Sequence, residues 1–409
     1  MEHVFGFRCA VCATPVDIAE YLPWRCPRAV GADRHHVLEI VTSAPTPASL
    51  DDANPFVAFG PRLAWFAYAA AHGMTDDACV ALTRELDGRI AAVAGTGFRL
   101  TPFGRHDVLS EALGFASDGG IWVKDETHNV GESHKARHLF TIMLHLCAAE
   151  TLGLAPWSAA GERPPLAIAS CGNAAIAAST LAEAASWPIH VFVPPWASDA
   201  VLDRLRRHGA EIVVCPRRDD DPPGDPCIHR FREAVADGAV PFSVQGPENA
   251  LCLDGGRTLG WEIAAAGVPL DRVMIQVGGG AFAASVGATL GSFGSPVALH
   301  AVQTEGCAPL ARAWDRAGRL EGGRSAAAAH WDDCMWPWDE GEPTSAADGI
   351  LDDETYDWLG VFSAMERSGG SPVVASERDV VEAHRLARTT TYIVVSATGS
   401  AGLAGVLAL

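Results

Sequence analysis

Arg272-Val273-Met274-Ile275-Gln276-Val277-Gly278-Gly279-Gly280-Ala281-Phe282-Ala283-Ala284 reads as an apolar strand, a glycine-rich turn and the start of a helix. Glycines at such a turn let backbone N–H groups close on an anion, and the helix dipole adds to the attraction, so the stretch predicts a phosphate cup. It also satisfies G-x-G-x-x-A, the pattern of a dinucleotide site. Against that second reading, no acidic residue follows at a strand end about twenty positions on.

The same alternation recurs on either side. Leu166-Ala167-Ile168-Ala169 precedes a helix from about Asn173, and His190-Val191-Phe192-Val193 precedes one from Ser198. Glu211 to Val214 leads to one near Cys227, and Val297 to Val302 to one near Pro309. Strands that are apolar throughout and separated by helices predict parallel sheets covered on both faces, with ligands at the carboxyl ends of the strands. Upstream, Pro45 to Pro55 reads as a linker, and Val57 to His72 and Asp76 to Ala94 carry helical spacing. Arg217 to Pro226 is an acidic, proline-rich surface turn. Gly318 to Gly370 breaks the alternation and holds Trp331, Trp336, Trp338 and Trp358. A lid or an oligomer contact is one expectation for it, and an excursion whose tryptophans pack locally is the other.

Two further strand ends and one helix start carry polar chemistry. Lys124 to Lys135 leaves a short strand, Ile121-Trp122-Val123, and runs through polar residues to Ser133-His134-Lys135, where an apolar-periodic helix begins. A cation is electrostatically misplaced at a helix N-terminus, a misfit relieved if Lys135 is neutral or held as an imine. Ser170-Cys171-Gly172-Asn173 opens an alanine-rich helix; Asn173 suits a cap there, or a hydrogen bond to a ligand oxygen. Tyr392-Ile393-Val394-Val395-Ser396-Ala397-Thr398-Gly399-Ser400 repeats strand, hydroxyl residues and helix.

With 409 residues, 48% of them hydrophobic, the chain can bury a large core. Fifty acidic residues against 30 basic ones give a net charge of -20, which repels nucleic-acid backbones and anionic membrane surfaces. Met1-Glu2-His3 opens no basic region with an apolar core behind it, and no apolar run reaches membrane-span length, so a soluble cytoplasmic protein is expected. Eleven cysteines are present, most of them expected as small core residues in a reducing compartment. Cys9-Ala10-Val11-Cys12 and Cys26 have the spacing of a zinc ribbon that lacks its fourth cysteine. His3, His35 and His36 are each available as a fourth ligand and the spacing selects none, so zinc at Cys9, Cys12 and Cys26 stays an open alternative and no metal ligand is assigned.

Together these stretches resemble the fold type II pyridoxal-phosphate enzymes, the group of threonine synthase, the threonine and serine dehydratases and the tryptophan synthase β subunit. The resemblance runs from about Phe98 to Leu409. Ser133-His134-Lys135 is similar to the family's S-x-K, which implies that Lys135 is the catalytic Schiff-base lysine. Ser170-Cys171-Gly172-Asn173 is similar to S-x-G-N, which implies that Asn173 contacts the cofactor's 3′ oxygen and that Ser170, Cys171 and Gly172 receive the substrate carboxylate. Gly278, Gly279, Gly280 and Ala281 match the phosphate loop, and Thr398 falls where the family sets a small polar residue against the pyridine nitrogen. Leu253 to Ile263 resembles a structural family segment. His134 departs from the usual phenylalanine, Arg137-His138 from arginine-glycine, and Ser396 from an acidic residue.

The resemblance implies an α/β protein with two doubly wound parallel-sheet domains of the tryptophan synthase β-like fold and pyridoxal 5′-phosphate as cofactor. A ribbon-like segment, 1–44, is expected before a catalytic region, 45–409, made of two interleaved subdomains, the smaller roughly 160–240. The expected activity is a lyase that eliminates the β-hydroxyl of a hydroxy amino acid through an aminoacrylate, as threonine and serine dehydratases do. Alternatives are a threonine synthase-like or β-replacement synthase and, more distantly, a dinucleotide-binding oxidoreductase or a non-catalytic binding protein. A homodimer acting on a small amino acid, with no nucleic-acid or membrane partner, completes the expectation.

Overall fold

A computed structural model describes residues 2–30, 35–48, 50–157, 160–337 and 343–409, so Trp338 lies outside the described residues. Three short antiparallel strands come first: β1 (Val4–Cys9), β2 (Pro15–Asp17) and β3 (Leu38–Thr42), in the order β2-β1-β3. Asn54 caps α1 (Pro55–Ala58) by accepting the Phe56 N–H. Helices α2 (Ala64–Ala71) and α3 (Asp76–Ala94) follow, the latter opened by Thr75 and closed by Gly95 in the left-handed region. Strand β4 (Phe103–Arg105), helix α4 (Asp107–Ala112) and strand β5 (Trp122–Lys124) lead to α5 (Lys135–Thr151), and β4 pairs antiparallel with β5.

The alternating region then begins. Strands β6 (Leu166–Ala169), β7 (Ile189–Val193), β8 (Glu211–Val214) and β9 (Val240–Pro241) form a parallel sheet ordered β8-β7-β6-β9. Between them run α6 (Asn173–Ala184), α7 (Asp199–Arg207) and α8 (Pro226–Ala236). After α9 (Cys252–Ala265) a second parallel sheet, β10-β11-β12, is built from β10 (Arg272–Gln276), β11 (Ala298–Thr304) and β12 (Pro372–Ala375). Its connections hold α10 (Ala281–Ala288), α11 (Pro309–Ala317), α12 (Trp331–Cys334) and α13 (Trp358–Ser368), and α14 (Glu377–Thr391) and α15 (Ala397–Ala408) end the chain. No described helix is long and apolar enough to cross a membrane.

The chain divides into two compact units, residues 1–100 with 129–258 and residues 101–128 with 259–409. In the first, α5 is buried continuously from Ala136 to Ala149. Phe56, Phe98 and Phe140 pack as a triad with ring centroids 4.5 to 4.8 Å apart. A helix buried on all faces must satisfy its polar groups internally. Accordingly Arg137 donates to Thr258 at 3.0 Å, Thr141 to the Leu251 carbonyl at 3.0 Å, and His145 Nε2 to the Tyr21 carbonyl at 2.7 Å. The start of the chain is anchored by charge. Buried Glu2 accepts from Arg257 at 2.6 Å, and Arg257 also reaches Asp254 at 3.2 Å, whose other oxygen accepts the Ala64 N–H.

In the second unit, Val302, Val373, Ala375, Val380, Ala401 and Ala404 fill the space between sheet and helices, and Ala347 and Ile350 join them. Trp314, Trp358 and Phe362 make edge-on ring contacts, and the guanidinium of Arg312 sits 3.8 Å from the ring centre of Trp336. Local packing therefore accounts for these tryptophans. Tyr392 to Val395 departs from the strand expected there. Tyr392 ends α14 in the left-handed region at φ 61, and the residues after it form no strand.

Candidate active site

The lysine of S-x-K stands at the first position of α5, and the preceding turn is strained: Glu132, not a glycine, has φ 59. Asn129 fixes the turn by donating to the Ser133 carbonyl at 3.0 Å, and Ser133 Oγ accepts the Lys135 N–H at 3.4 Å. Imidazoles and a buried guanidinium surround this helix start. The rings of His134 and His138 lie 5.5 Å apart, edge to face. Burial, helped by Lys135, pushes His138 down to about 3, and burial likewise drives His134 well below the usual histidine range. Both rings are therefore neutral near pH 7, with His138 Nδ1–H donating to the Cys252 carbonyl at 2.8 Å. The other lysine of the stretch is committed elsewhere: Lys124 Nζ lies 2.5 Å from Glu262 and 2.6 Å from the Thr101 carbonyl.

Ser170-Cys171-Gly172-Asn173 joins the carboxyl end of β6 to α6 in the same unit as Lys135, and α5 and α6 pack together. Gly172 takes the cap position, so Asn173 is the first helical residue and does not serve as the cap. Asn173 and Cys171 are exposed, while the Gly172 N–H donates to Ser170 Oγ at 3.3 Å. The end of β6 thus presents an amide side chain and a polar loop at the edge where parallel sheets bind ligands.

Gly278 to Ala281 lies in the second unit, after β10 and at the start of α10. Gly280 caps α10 at φ 97 and, having no side chain, makes no side-chain cap bond. No other residue fits this turn easily. A Cβ on Gly278 would lie 2.0 Å from Asp352 Oδ2, and one on Gly279 would lie 3.0 Å from the ring of Tyr356. Backbone donors at a helix N-terminus are the donor set that a phosphate takes, so the turn fits the phosphate end of the expected cofactor.

The rear of this turn is built by residues that sequence reading placed only in an irregular insert. The Asp357 N–H donates to the Gly279 carbonyl at 2.8 Å. Buried Gln303 joins the Val277 carbonyl to Thr355 Oγ1, each at 3.2 Å. Thr398, at the start of α15, accepts the Gly349 N–H at 3.0 Å and donates to Asp348 at 3.2 Å. Residues 348–357 therefore connect the glycine turn to Thr398. Their only sequence signal was a cluster of acidic and aromatic residues, which is ordinarily a solvated surface.

Comparison with known proteins bears on the whole region. The family model described as pyridoxal-phosphate dependent enzyme matches residues 95–409. An L-threonine ammonia-lyase from Thermotoga maritima is 25% identical over 303 residues, 73% of this chain and 65% of that one. A biosynthetic L-threonine dehydratase from Haemophilus influenzae is 26% identical over 218 residues, 53% of this chain and 38% of that one. The chain thus spans less than two thirds of either curated relative. Maize serine racemase shares the fold, with a TM-score of 0.60, 16% identity and coverage of 80% of this chain and 85% of that one. The two parallel sheets are those of the tryptophan synthase β-like fold. With a match reaching from the end of α3 to the last residue, and glycine turn and lysine both inside it, the chain belongs to the family of pyridoxal-phosphate-dependent enzymes.

Proposed function

We propose that the protein is an amino-acid lyase of the threonine or serine dehydratase type, removing the β-hydroxyl of a hydroxy amino acid and giving a 2-oxo acid and ammonia. The observation that carries this reading is the setting of Lys135, a primary amine at the head of a buried helix beside two imidazoles that burial keeps neutral. The 25% identity to a threonine ammonia-lyase over 303 residues supports the choice of reaction.

In this reading Lys135 Nζ would hold the cofactor by its aldehyde end, and the same amine, when free, would take the proton from the substrate's Cα. The amides of Gly278, Gly279, Gly280 and Ala281 bind the phosphate. The Asn173 side chain binds the ring's 3′ oxygen, and Ser170, Cys171 and Gly172 take the substrate carboxylate. Thr398 would face the pyridine nitrogen with a neutral hydroxyl, its proton turned from Asp348 toward the ring, and a neutral partner there favours loss of a β-substituent over transamination. When bound, the cofactor supplies an electron sink for the pair left by breaking the Cα–H bond. The β-hydroxyl departs as water, and hydrolysis of the released enamine completes the balance to 2-oxo acid and ammonia.

Incubation with L-threonine or L-serine alone should yield equimolar ammonia and 2-oxo acid. Lys135→Ala should abolish the yellow imine chromophore and lower turnover at least about a hundredfold. Turnover that requires an added thiol or amine, or that occurs only with O-phosphohomoserine, would instead identify a synthase.

A further inference from the structure

The proposed reaction leaves unused the group of residues where β1, the turn after it and the approach to β3 meet. Cys9 ends β1, Cys12 lies in the following turn, Cys26 comes from the loop beyond β2, and His36 from the residues just before β3. Their three sulfurs and one ring nitrogen all lie within 4.8 Å of one another. Cys9 Sγ is 3.3 Å from His36 Nδ1, and Cys12 Sγ is 3.6 Å from Cys26 Sγ. Tetrahedral ligands about 2.3 Å from a shared ion stand about 3.8 Å apart, so these two separations are close to the edges of such a tetrahedron, and the 4.8 Å bound on the rest leaves only a small contraction for an ion to make.

The backbone around the group is arranged for thiolates. The Cys12 N–H points at Cys9 Sγ at 3.5 Å and the Arg28 N–H at Cys26 Sγ at 3.4 Å. Thr14 Oγ1 lies 3.1 Å from Cys12 Sγ. Donors aimed at sulfur stabilise negative charge there, as outer-shell partners do around metal ligands. The turn is held in shape by Ala13, left-handed at φ 55, and by the Cys9 N–H bonded to the Thr14 carbonyl at 2.9 Å. A disulfide between Cys12 and Cys26 accounts for two of the four donors only. One ion accounts for all of them.

We propose that Cys9, Cys12, Cys26 and His36 bind one zinc ion. Four protein ligands close the coordination sphere, which makes the site structural, with no open position for a substrate or a reactive water. Its purpose lies in the loop it closes. Between Cys12 and Cys26, Tyr21 offers its carbonyl to His145 of α5 at 2.7 Å, and Trp24 accepts the Ala250 N–H at 2.9 Å. The ion thus secures the loop that satisfies a buried histidine on the helix that Lys135 begins.

Untagged protein purified without chelator should contain one zinc per chain by inductively coupled plasma mass spectrometry. Chelator-stripped protein, kept reduced, should take up one cobalt(II) and develop thiolate-to-cobalt charge-transfer absorption. His36→Ala should release zinc to a competing chelator at least tenfold more readily, whereas His36→Cys, which restores four ligands, should retain it. Purified protein without zinc whose stripped form gives no cobalt absorption would overturn the proposal, as would a Cys12–Cys26 disulfide in protein isolated under reducing conditions.

Discussion

His138 is held neutral inside α5, and that has a thermodynamic sign. Its ordinary pKa is 6.5, and burial, with Lys135 nearby, lowers it to about 3 in the folded protein. Between those values the unfolded chain binds a proton that the folded chain does not, so lowering the pH through this window destabilises the fold. His145, pushed down to about 4 by burial, acts in the same direction. His138→Asn keeps a donor for the Cys252 carbonyl and removes one titrating group. Its urea midpoint should therefore fall less between pH 7 and pH 5 than that of the parent protein; equal falls would show that His138 is not the group responsible. The sequence marked His138 as a departure from the family pattern and left its environment open, because burial is a property of the packed helix and not of the dipeptide.

Helix α9 meets α5 through Gly255, and the spacing leaves no room for a side chain. A Cβ there would lie 1.9 Å from the Arg137 carbonyl oxygen and 2.9 Å from Thr141 Oγ1. Gly255→Ala should cost about 3 kcal/mol or more, at the upper end for overpacking, because the obstacle is backbone. Gly88, exposed in α3 with nothing within 4 Å of its missing Cβ, provides the control. Gly88→Ala should stabilise by about 0.5–1 kcal/mol, and denaturant melts of the two variants would show the opposite signs. Elements were legible in the sequence where period and punctuation agreed, as in the helix from Lys135 and the strand before Gly278. They were illegible where long-range partners decide. Tyr392-Ile393-Val394-Val395 has strand composition, yet Tyr392 and Val394 are exposed and pair with no strand among the described residues. Composition gives strand propensity, while a neighbouring strand supplies the ladder. Residues 348–357 are the converse case, since their irregular sequence becomes specific only against the glycine turn.

At the scale of the whole molecule, the net charge of -20 opposes the compact state. Screening shortens the reach of that repulsion from roughly 30 Å at 0.01 M salt to about 8 Å at 0.15 M. The thermal midpoint should rise by a few degrees over that interval; a fall would mean that ion pairs such as Arg204–Glu132 outweigh the global repulsion. Cofactor binding adds a separate stabilisation that scales with its concentration, about 2.7 kcal/mol at a hundredfold excess over the dissociation constant. Melting the protein with and without pyridoxal phosphate should therefore separate the two effects.

The buried pair of Glu2 and Arg257 bears on the order of events during synthesis. Glu2 is synthesised 255 positions before the partner that anchors it. The first strands must therefore wait through most of the first unit's synthesis, and through the whole of 101–128, before that anchor exists. During that delay Cys9, Cys12 and Cys26 belong to a segment whose anchor has yet to be made. The segment of Glu2 and β1 is thus among the last parts of its unit to be secured, and a metal captured early would shelter those thiols in the interval.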